Sequence, residues 1–252
     1  MQENKVNFGF KFVDEALKSS MVKGVFSSVA SKYDIMNDAM SFGLHRLWKK
    51  EMLQNMRPHE SFKLLDLAAG SGDISFAFLK YAKNNNINVS CVTSDINEEM
   101  LKVAKNKAID ENINNNGLEF QIIDAENIPF PENYFDYVSI AFGIRNVTNI
   151  PKALGEINRV LKPGGKFICL EFSNVDNEII KKFYDLYSFN LIPKMGKLIA
   201  GDEESYKYLV ESIALFPKSG EFTKMIETAG FVQASCKKLT FGVVAIHQGF
   251  KV

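Results

Sequence analysis

The sequence predicts an α/β fold in which helices cover both faces of one mostly parallel sheet of seven strands. From residue 62 onward, short apolar runs alternate with helical stretches, and this alternation is typical of a parallel sheet with right-handed crossovers. The chain has 252 residues, of which 46% are hydrophobic, so it can bury one core without disulfides or metals. We therefore expect a single domain over residues 1–252.

The elements of this domain follow in order from the apolar pattern. Strands are expected at residues 62–67, 89–94, 118–123, 134–141 and 166–172. Helices are expected between the first strand and residue 83, and at 98–109, 151–161 and 221–229. Residues 163–165 predict a turn, and two closing strands on either side of Gly242 bring the count to seven.

The pattern divides the domain into four parts. They are an N-terminal helical cap at 1–57, the alternating core at 58–175, a helical insertion at 176–216, and a closing helix with two strands at 217–252. Within the cap, residues 1–20 predict a loose arm that leads into a helix, and residues 33–38 interrupt the helical pattern. Pro193 is expected to divide the insertion.

Composition excludes several classes of protein. Lys plus Arg is 30 and Asp plus Glu is 30, so the net charge of +0 argues against a nucleic-acid partner. Cys91, Cys169 and Cys236 lack metal-ligand spacing, so we expect structural thiols in a reducing compartment and no metal. No apolar run reaches the roughly 20 residues of a membrane span. We expect a cytoplasmic protein, with any contact to the inner face of the membrane being peripheral.

The strongest local motif is the run from Asp66 to Gly72. An apolar strand meets small residues, including Gly70 and Ser71, and a helix follows at once, so a ligand can approach the backbone and the free N–H groups of the helix. A nicotinamide fingerprint would have a third glycine where Ser75 stands. The run instead resembles the first motif of class I S-adenosylmethionine methyltransferases.

Two acidic positions after the next strands extend this candidate site. Asp95, followed by Ile96, ends the second strand, where a carboxylate can accept both hydroxyls of a ribose. The alternative is that Asp95 only caps the next helix. Asp124 and Ala125 follow the third strand; in the methyltransferases that the chain resembles, a polar side chain here meets the adenine. The alternative there is an ordinary polar turn.

Longer motifs carry a more specific resemblance. They are residues 25–41 (VFSSVASKYDIMNDAMS), 45–50 (HRLWKK), 141–147 (AFGIRNV), 170–173 (LEFS) and 242–249 (GVVAIHQG). In this order they closely resemble the ubiquinone/menaquinone biosynthesis C-methyltransferases, from about residue 22 to the last residue. Ala69, Ser71, Ala141 and Gln248 depart from the commonest family pattern. None of these changes predicts an inactive protein.

The resemblance implies methyl transfer from S-adenosylmethionine to a ring carbon of a polyprenyl naphthoquinol or a methoxy-polyprenyl-benzoquinol. A quinol that has lost a hydroxyl proton is a carbon nucleophile, so the enzyme must mainly align the reactants and help remove a proton. Arg145 and Asn146, after the fourth strand, are the catalytic candidates together with Tyr33. A salt bridge and a helix cap are the structural alternatives for the first two, and packing is the alternative for Tyr33.

Several roles remain open at this point. Asp34 and Asn37 are further candidates to close the pocket, and His45 and His247 are candidate bases. The aromatic residues of the insertion would suit a polyprenyl tail, or they form core: Phe183, Tyr184, Tyr187, Phe189, Tyr206, Tyr208 and Phe216. That insertion, or the arm with Phe8, Phe10 and Phe12, could touch a membrane.

Partners and rival functions are also left open. A quinone-synthesis complex and a homodimer are both compatible with the sequence. Three other functions are alternatives to the methylation of a quinol. They are a methyltransferase for another small molecule, a non-catalytic subunit that binds S-adenosylmethionine, and, least favoured, a nicotinamide dehydrogenase. The choice between benzoquinol and naphthoquinol does not follow from these residues.

Overall fold

The N-terminal part is more ordered than the sequence pattern predicts. The computed structural model describes residues 5–113 and 117–252. Within it, the chain begins with strands β1 (Lys5–Phe8) and β2 (Lys11–Asp14), followed by helices α1 (Glu15–Val29), α2 (Tyr33–Ser41) and α3 (Leu44–Gln54). Residues 33–38, expected to interrupt the helical pattern, form the first turns of α2, so that prediction is wrong.

The expected loose arm over residues 1–20 is also wrong for its described residues. β1 and β2 form an antiparallel hairpin that turns at Gly9, with a φ of 56°. The hairpin is held by contacts distant in sequence: the Phe8 ring stacks on Tyr208 at 4.2 Å, and the Phe10 N–H donates to Glu211 Oε2 at 2.9 Å. Because these partners lie about 200 residues away, local sequence gives little sign of the hairpin.

The remaining elements build the predicted sheet. Its strands are β3 (Phe62–Leu67), β4 (Val89–Asp95), β5 (Leu118–Ile122), β6 (Phe135–Ala141), β7 (Leu161–Phe172), β8 (Val232–Leu239) and β9 (Val244–Phe250). The helices are α4 (Asp73–Asn84), α5 (Glu98–Asp110), α6 (Ile150–Val160), α7 (Glu178–Asn190), α8 (Ile192–Ala200), α9 (Glu203–Leu215) and α10 (Ser219–Thr228). The α/β fold is thus confirmed, with most bounds within a few residues of expectation.

The strand order places a crevice at the centre of the sheet. The order is β5-β4-β3-β6-β7-β9-β8, with the first five strands parallel and β9 antiparallel to both its neighbours. β3 and β6 are neighbours, although the chain runs outward from them in opposite directions. Their carboxyl ends therefore form a switch point, which is where open α/β sheets bind ligands.

Alternate residues of the central strands supply two cores, one on each face of the sheet. On β3, Leu65 and Leu67 pack on one side with α6 and α10, whereas Leu64 packs on the other with α3 and α4. Such double burial explains why the strands read as continuous apolar runs. One detail differs from expectation: β7 already begins at Leu161, and the expected turn is a bulge in it, with Gly164 at a φ of 78°.

Candidate active site

The turn after β3 forms the floor of the site. Gly70 and Gly72 have φ values of 59° and 82°, a region that glycine enters without steric cost. A Cβ on Gly72 would lie 2.5 Å from the Phe76 ring, so this glycine also allows α4 to pack closely. The Ala69 N–H donates to the carbonyl of Ser94 at 2.8 Å, which fastens the turn to β4.

Asp95 joins this turn to the end of β4. Its Oδ2 accepts the Gly70 N–H at 2.9 Å, and its Oδ1 accepts the Asn97 N–H at 2.9 Å. Burial raises the pKa of the Asp95 carboxyl, and these backbone bonds act in the opposite direction. Asn97, rather than Asp95, caps α5, since its side chain accepts the Glu99 N–H. Asp95 thus keeps lone pairs for further donors.

A cavity opens beside these residues, and we name it the cofactor cavity. It is lined by α1, the glycine turn and the residues after β4, β5 and β6, and its empty volume with the open mouth is about 790 Å³. Among the residues singled out from sequence, those in its lining are Tyr33, Gly70, Asp95, Ile96, Asp124, Ala125 and Asn146.

Three residues predicted to bind the cofactor lie outside this lining. Asp66 is buried and accepts hydrogen bonds from the Ser75 N–H and hydroxyl and from the Ser139 hydroxyl, so it ties β3 to α4 and β6. Burial raises the pKa of Asp66 to about 6. Ser71 donates its hydroxyl to Asp34 Oδ1 at 3.0 Å, and Gly72 is the N-cap of α4.

Asp124 lies at the exposed side of the cofactor cavity. Its Oδ1 accepts the Glu126 N–H at 2.9 Å, which shapes the turn after β5. The side chain is exposed and leaves its second oxygen without a bond to any residue in the described ranges. Asp124 can therefore shape the turn through one oxygen and bind a ligand through the other.

A second cavity adjoins the first, and we name it the aromatic cavity. Its empty volume, with the open mouth, is about 990 Å³. Its walls carry aromatic side chains from the cap, the core and the insertion: Phe26, Tyr33, Trp48, Phe142, Phe172, Tyr184, Tyr187, Tyr206 and Tyr208. Phe26 and Tyr33 line both cavities, so the two spaces meet at these rings. Burial raises the pKa of the Tyr33 hydroxyl, which keeps it protonated.

Arg145 belongs to the aromatic cavity and to a buried ion pair. Its Nη1 donates to Glu171 Oε1 at 3.0 Å, and its Nε donates to Ser212 Oγ at 3.3 Å. The Arg145 side chain is 4% exposed and that of Glu171 is 0% exposed. Burial raises the pKa of Glu171, and the Arg145 charge opposes this rise. The salt bridge that was the structural alternative for Arg145 is present, and Arg145 also lines the cavity wall.

Asn146 faces a different space from its neighbour in sequence. It lines the cofactor cavity, and its Oδ1 accepts the Tyr208 hydroxyl at 3.0 Å. The 3₁₀ turn Ile144–Asn146 therefore sends one polar side chain to each cavity. The helix cap of α6 is Asn149, so Asn146 does not have that role.

The two candidate histidines have different surroundings. His247 is buried in β9, bonded to Thr223 and Cys236, and lines neither the cofactor cavity nor the aromatic cavity. His45 lines the aromatic cavity, and its Nε2 lies 2.8 Å from Asp38 Oδ1. Its Nδ1 is buried without a hydrogen-bond partner in the described part of the chain. Of the two histidines, only His45 lines the aromatic cavity.

A network of charged side chains lies next to the site, and it was not predicted from the sequence. Lys49, which lines the aromatic cavity, donates to Asp73 at 2.5 Å, and Lys107 donates to both Asp73 and Asp34. Burial alone would raise the pKa of Asp73, but the two lysines hold it well below its usual range. The network links α2, α3, α4 and α5. Because its residues are far apart in sequence, no local motif predicts it.

Comparisons with known proteins identify the family of this chain. A model of the ubiE/COQ5 methyltransferase family matches residues 14–251. A ubiquinone/menaquinone biosynthesis C-methyltransferase UbiE from Rickettsia bellii is 55% identical over 249 residues, which is 99% of this chain and 100% of that protein. Its counterpart from Rickettsia rickettsii is 56% identical over 247 residues, 98% of this chain and 99% of that protein.

Solved structures support the fold. A putative methyltransferase from Haloferax volcanii, in complex with the Trm112 activator, matches 89% of this chain and 96% of its own with a TM-score of 0.62 at 17% identity. A methyltransferase from Thermotoga maritima matches 91% of this chain and 99% of its own with a TM-score of 0.60 at 20% identity. This chain belongs to the ubiE/COQ5 methyltransferase family and is a class I enzyme that uses S-adenosylmethionine.

Proposed function

We propose that this protein binds S-adenosylmethionine in the cofactor cavity and a polyprenyl quinol in the aromatic cavity, and that the methyl group passes between them beside Tyr33. The protein is a C-methyltransferase of ubiquinone or menaquinone biosynthesis, as are its curated relatives. The observation that carries the two-cavity arrangement is that Phe26 and Tyr33 line both spaces. Holding the reacting carbon, methyl and sulfur in line can supply roughly 7–11 kcal/mol of the barrier.

The transfer balances without a metal or an oxidant. A quinol hydroxyl loses a proton, and the adjacent ring carbon forms a bond to the methyl carbon. Bound S-adenosylmethionine would supply the methyl group, and the electron pair of its methyl–sulfur bond would remain on sulfur. The ring carbon then loses its hydrogen as a proton, while the oxygen regains one, which restores the aromatic ring. One proton is released for each methyl transferred.

The cofactor contacts are assigned from the lining of the cofactor cavity. Asp95 accepts the ribose hydroxyls, because its carboxylate is fixed by two backbone N–H groups and has unused lone pairs. Asp124 and Ala125 meet the adenine, and Gly70 and Ile96 approach the ligand through the backbone. Asp66, Ser71 and Gly72 support the turn through the bonds described above.

Charge and shape assign the quinol side. Arg145 stabilises the quinolate, because a guanidinium at the wall of an apolar cavity acts in a low dielectric. Glu171 holds the guanidinium in place. Asn146 and Tyr33 orient the hydroxyl or the sulfonium at the junction of the cavities. The tyrosines of α7 and α9 contact the first part of the tail.

His45 is assigned as the proton acceptor. Arg46 and His45 keep Asp38 ionised by lowering the pKa of its carboxyl, so Nε2 must donate to Asp38 and Nδ1 carries the lone pair. The charged groups around His45 are Asp38, Lys49 and Asp73. Burial lowers the pKa of His45, and the bond to Asp38 acts in the opposite direction. His45 is therefore neutral, and able to accept a proton, at neutral pH.

Replacing this histidine is expected to slow chemistry without weakening cofactor binding. His45→Gln should lower kcat by about a hundredfold or more, the usual contribution of a general base. In the native enzyme, kcat should fall with acid only below the ordinary histidine pKa of 6.5. Asp38→Asn should move this acid limb to lower pH, since the carboxylate raises the pKa of His45. Rates and pH profiles measured at saturating quinol check both expectations.

The exposed His59 provides a matched control for this prediction. His59→Gln should leave kcat and the pH profile unchanged. An active His45→Gln enzyme with a native acid limb would exclude His45 as the proton acceptor.

Acceptor selectivity tests the proposed function. Purified protein with S-adenosylmethionine is offered a demethylmenaquinol, a methoxy-polyprenyl-benzoquinol, a sterol and a phenol without a tail, and products are followed by mass spectrometry. We expect kcat/KM for the prenylated quinols to exceed that for the sterol and the phenol, because burial of the tail favours them. Faster methylation of the sterol or the phenol would contradict the proposal. Cofactor binding without any product would favour the non-catalytic subunit.

A further inference from the structure

Helix α7 has apolar residues on two adjacent faces, one buried and one exposed. Tyr184 and Tyr187 lie on the face that lines the aromatic cavity. A neighbouring face, about 100° around the helix axis from those tyrosines, carries Ile179, Phe183 and Leu186, and these side chains are 68%, 70% and 62% exposed. A surface helix usually presents polar residues on its outer side. Because burying exposed apolar side chains is favourable, we expect this outer stripe to contact an apolar partner.

Segments next to α7 carry further exposed apolar side chains. Leu198 of α8 is 85% exposed, and Phe42, which follows α2, is 79% exposed. The Phe42 ring lies 5.9 Å from that of Tyr187, so Tyr187 connects this exterior to the aromatic cavity. Phe42 also has a φ of 50°, in a region that bulky residues seldom enter. We name Phe42, Ile179, Phe183, Leu186 and Leu198 the outer apolar face.

Positive charge accompanies this face. Residues 178–200 contain four lysines against two acidic residues, a surplus of +2 in a chain whose net charge is +0. Lys182 and Lys194 are exposed and form no ion pair with any residue of 5–113 or 117–252. Lysines beside exposed apolar side chains suit a surface of anionic lipid headgroups, where each basic residue near the surface strengthens binding.

We propose that the outer apolar face docks onto an anionic lipid bilayer and inserts Phe183 and Leu186 among the acyl chains. No helix in the described ranges is long and apolar enough to cross a membrane, so the contact is peripheral. The inference rests on the proposed function, because a polyprenyl quinol dissolves in the bilayer. Docking through α7 brings to the membrane a helix whose adjacent face lines the aromatic cavity, so the cavity lies near the source of its substrate.

Flotation of the full chain with vesicles tests the docking face. The vesicles are phosphatidylcholine alone or phosphatidylcholine mixed with phosphatidylglycerol. The protein is expected to float with the mixed vesicles, and Phe183→Glu with Leu186→Glu should lower the partition coefficient at least about tenfold, since two large apolar groups are lost. Lys182→Gln with Lys194→Gln should lower it on mixed vesicles only, by about fivefold for each lysine.

A matched control carries the same change elsewhere. Tyr81 on α4 and Ile109 on α5 are 46% and 74% exposed and lie outside the outer apolar face. Tyr81→Glu with Ile109→Glu should float like the native protein. Native-like flotation of the Phe183/Leu186 variant, or no flotation of the native protein, would overturn the proposal. So would a native dimer that this variant splits while its flotation stays unchanged, because the face would then bind a second copy.

Activity separates this inference from the proposed function. The Phe183/Leu186 variant should methylate a short-tailed quinol in solution at the native rate, because neither residue lines the aromatic cavity. Its rate with a long-tailed quinol in mixed vesicles should fall with its vesicle binding. A native protein that floats but methylates no quinol would refute the proposed function and leave the docking face standing.

Discussion

Replacing Asp95 with asparagine is expected to raise the Kd for S-adenosylmethionine about a hundredfold or more. The carboxylate accepts two ribose hydroxyls in our assignment, and a hydrogen bond to a charged group contributes roughly 1.5–3 kcal/mol. Asparagine also cannot accept from both Gly70 N–H and Asn97 N–H in the geometry seen here, so the glycine turn loses one anchor. Isothermal titration calorimetry with S-adenosylmethionine measures the effect.

The control for this substitution is a nearby carboxylate that does not line the cofactor cavity. Glu98, in the first turn of α5, is mostly exposed, and Glu98→Gln should leave the Kd unchanged. Circular dichroism should show that both variants are folded. A folded Asp95→Asn protein that binds the cofactor within about threefold of native would remove Asp95 from the site.

The second large effect concerns the buried pair of Arg145 and Glu171. Breaking such a pair by truncating one partner costs roughly 3–5 kcal/mol, since the other charge is left buried without a counter-ion. We expect Glu171→Leu and Arg145→Met to lower the free energy of unfolding by about this amount each. The double variant should recover much of that loss, because both charges are gone. Chemical denaturation of the four proteins measures the cycle.

Activity in the same four proteins separates structure from catalysis. If Arg145 stabilises the quinolate, the double variant regains stability but keeps a kcat at least about a hundredfold below native. Recovery of both stability and kcat would show that the pair is structural only. Lys102→Met at the exposed pair with Glu99 is the control, and it should leave the free energy of unfolding nearly unchanged, because water screens this pair.

The sequence predicts the sheet well because each central strand is buried on both faces. Leu64 and Leu65 point to opposite cores, and such runs are apolar throughout, so the strands stand out from the amphipathic helices between them. The N-terminal hairpin escaped prediction because its anchors, Tyr208 and Glu211, lie in a distant helix. The pattern of apolar and polar residues within one segment does not predict contacts with a segment so far away in sequence.

The site was predictable to the level of segments but not of individual contacts. Sequence places Asp95 and Asp124 at the carboxyl ends of strands, and the structure brings both to one cavity. The sequence does not distinguish Asp95, which lines the cofactor cavity, from Asp66, which is bonded inside the fold, because both are acidic residues at strand ends. The bond of His45 to Asp38 depends on how α3 packs on α2, which is a tertiary event.

Methyl transfer to a ring carbon is tested with an isotope label on the methyl group of S-adenosylmethionine. The native enzyme is incubated with this labelled cofactor and a demethylmenaquinol. Nuclear magnetic resonance of the product then shows which atom carries the label. We expect a labelled methyl on the ring carbon next to a hydroxyl, with both hydroxyls free. A labelled methyl ether would mean that oxygen is the nucleophile, and it would contradict C-methylation in the aromatic cavity.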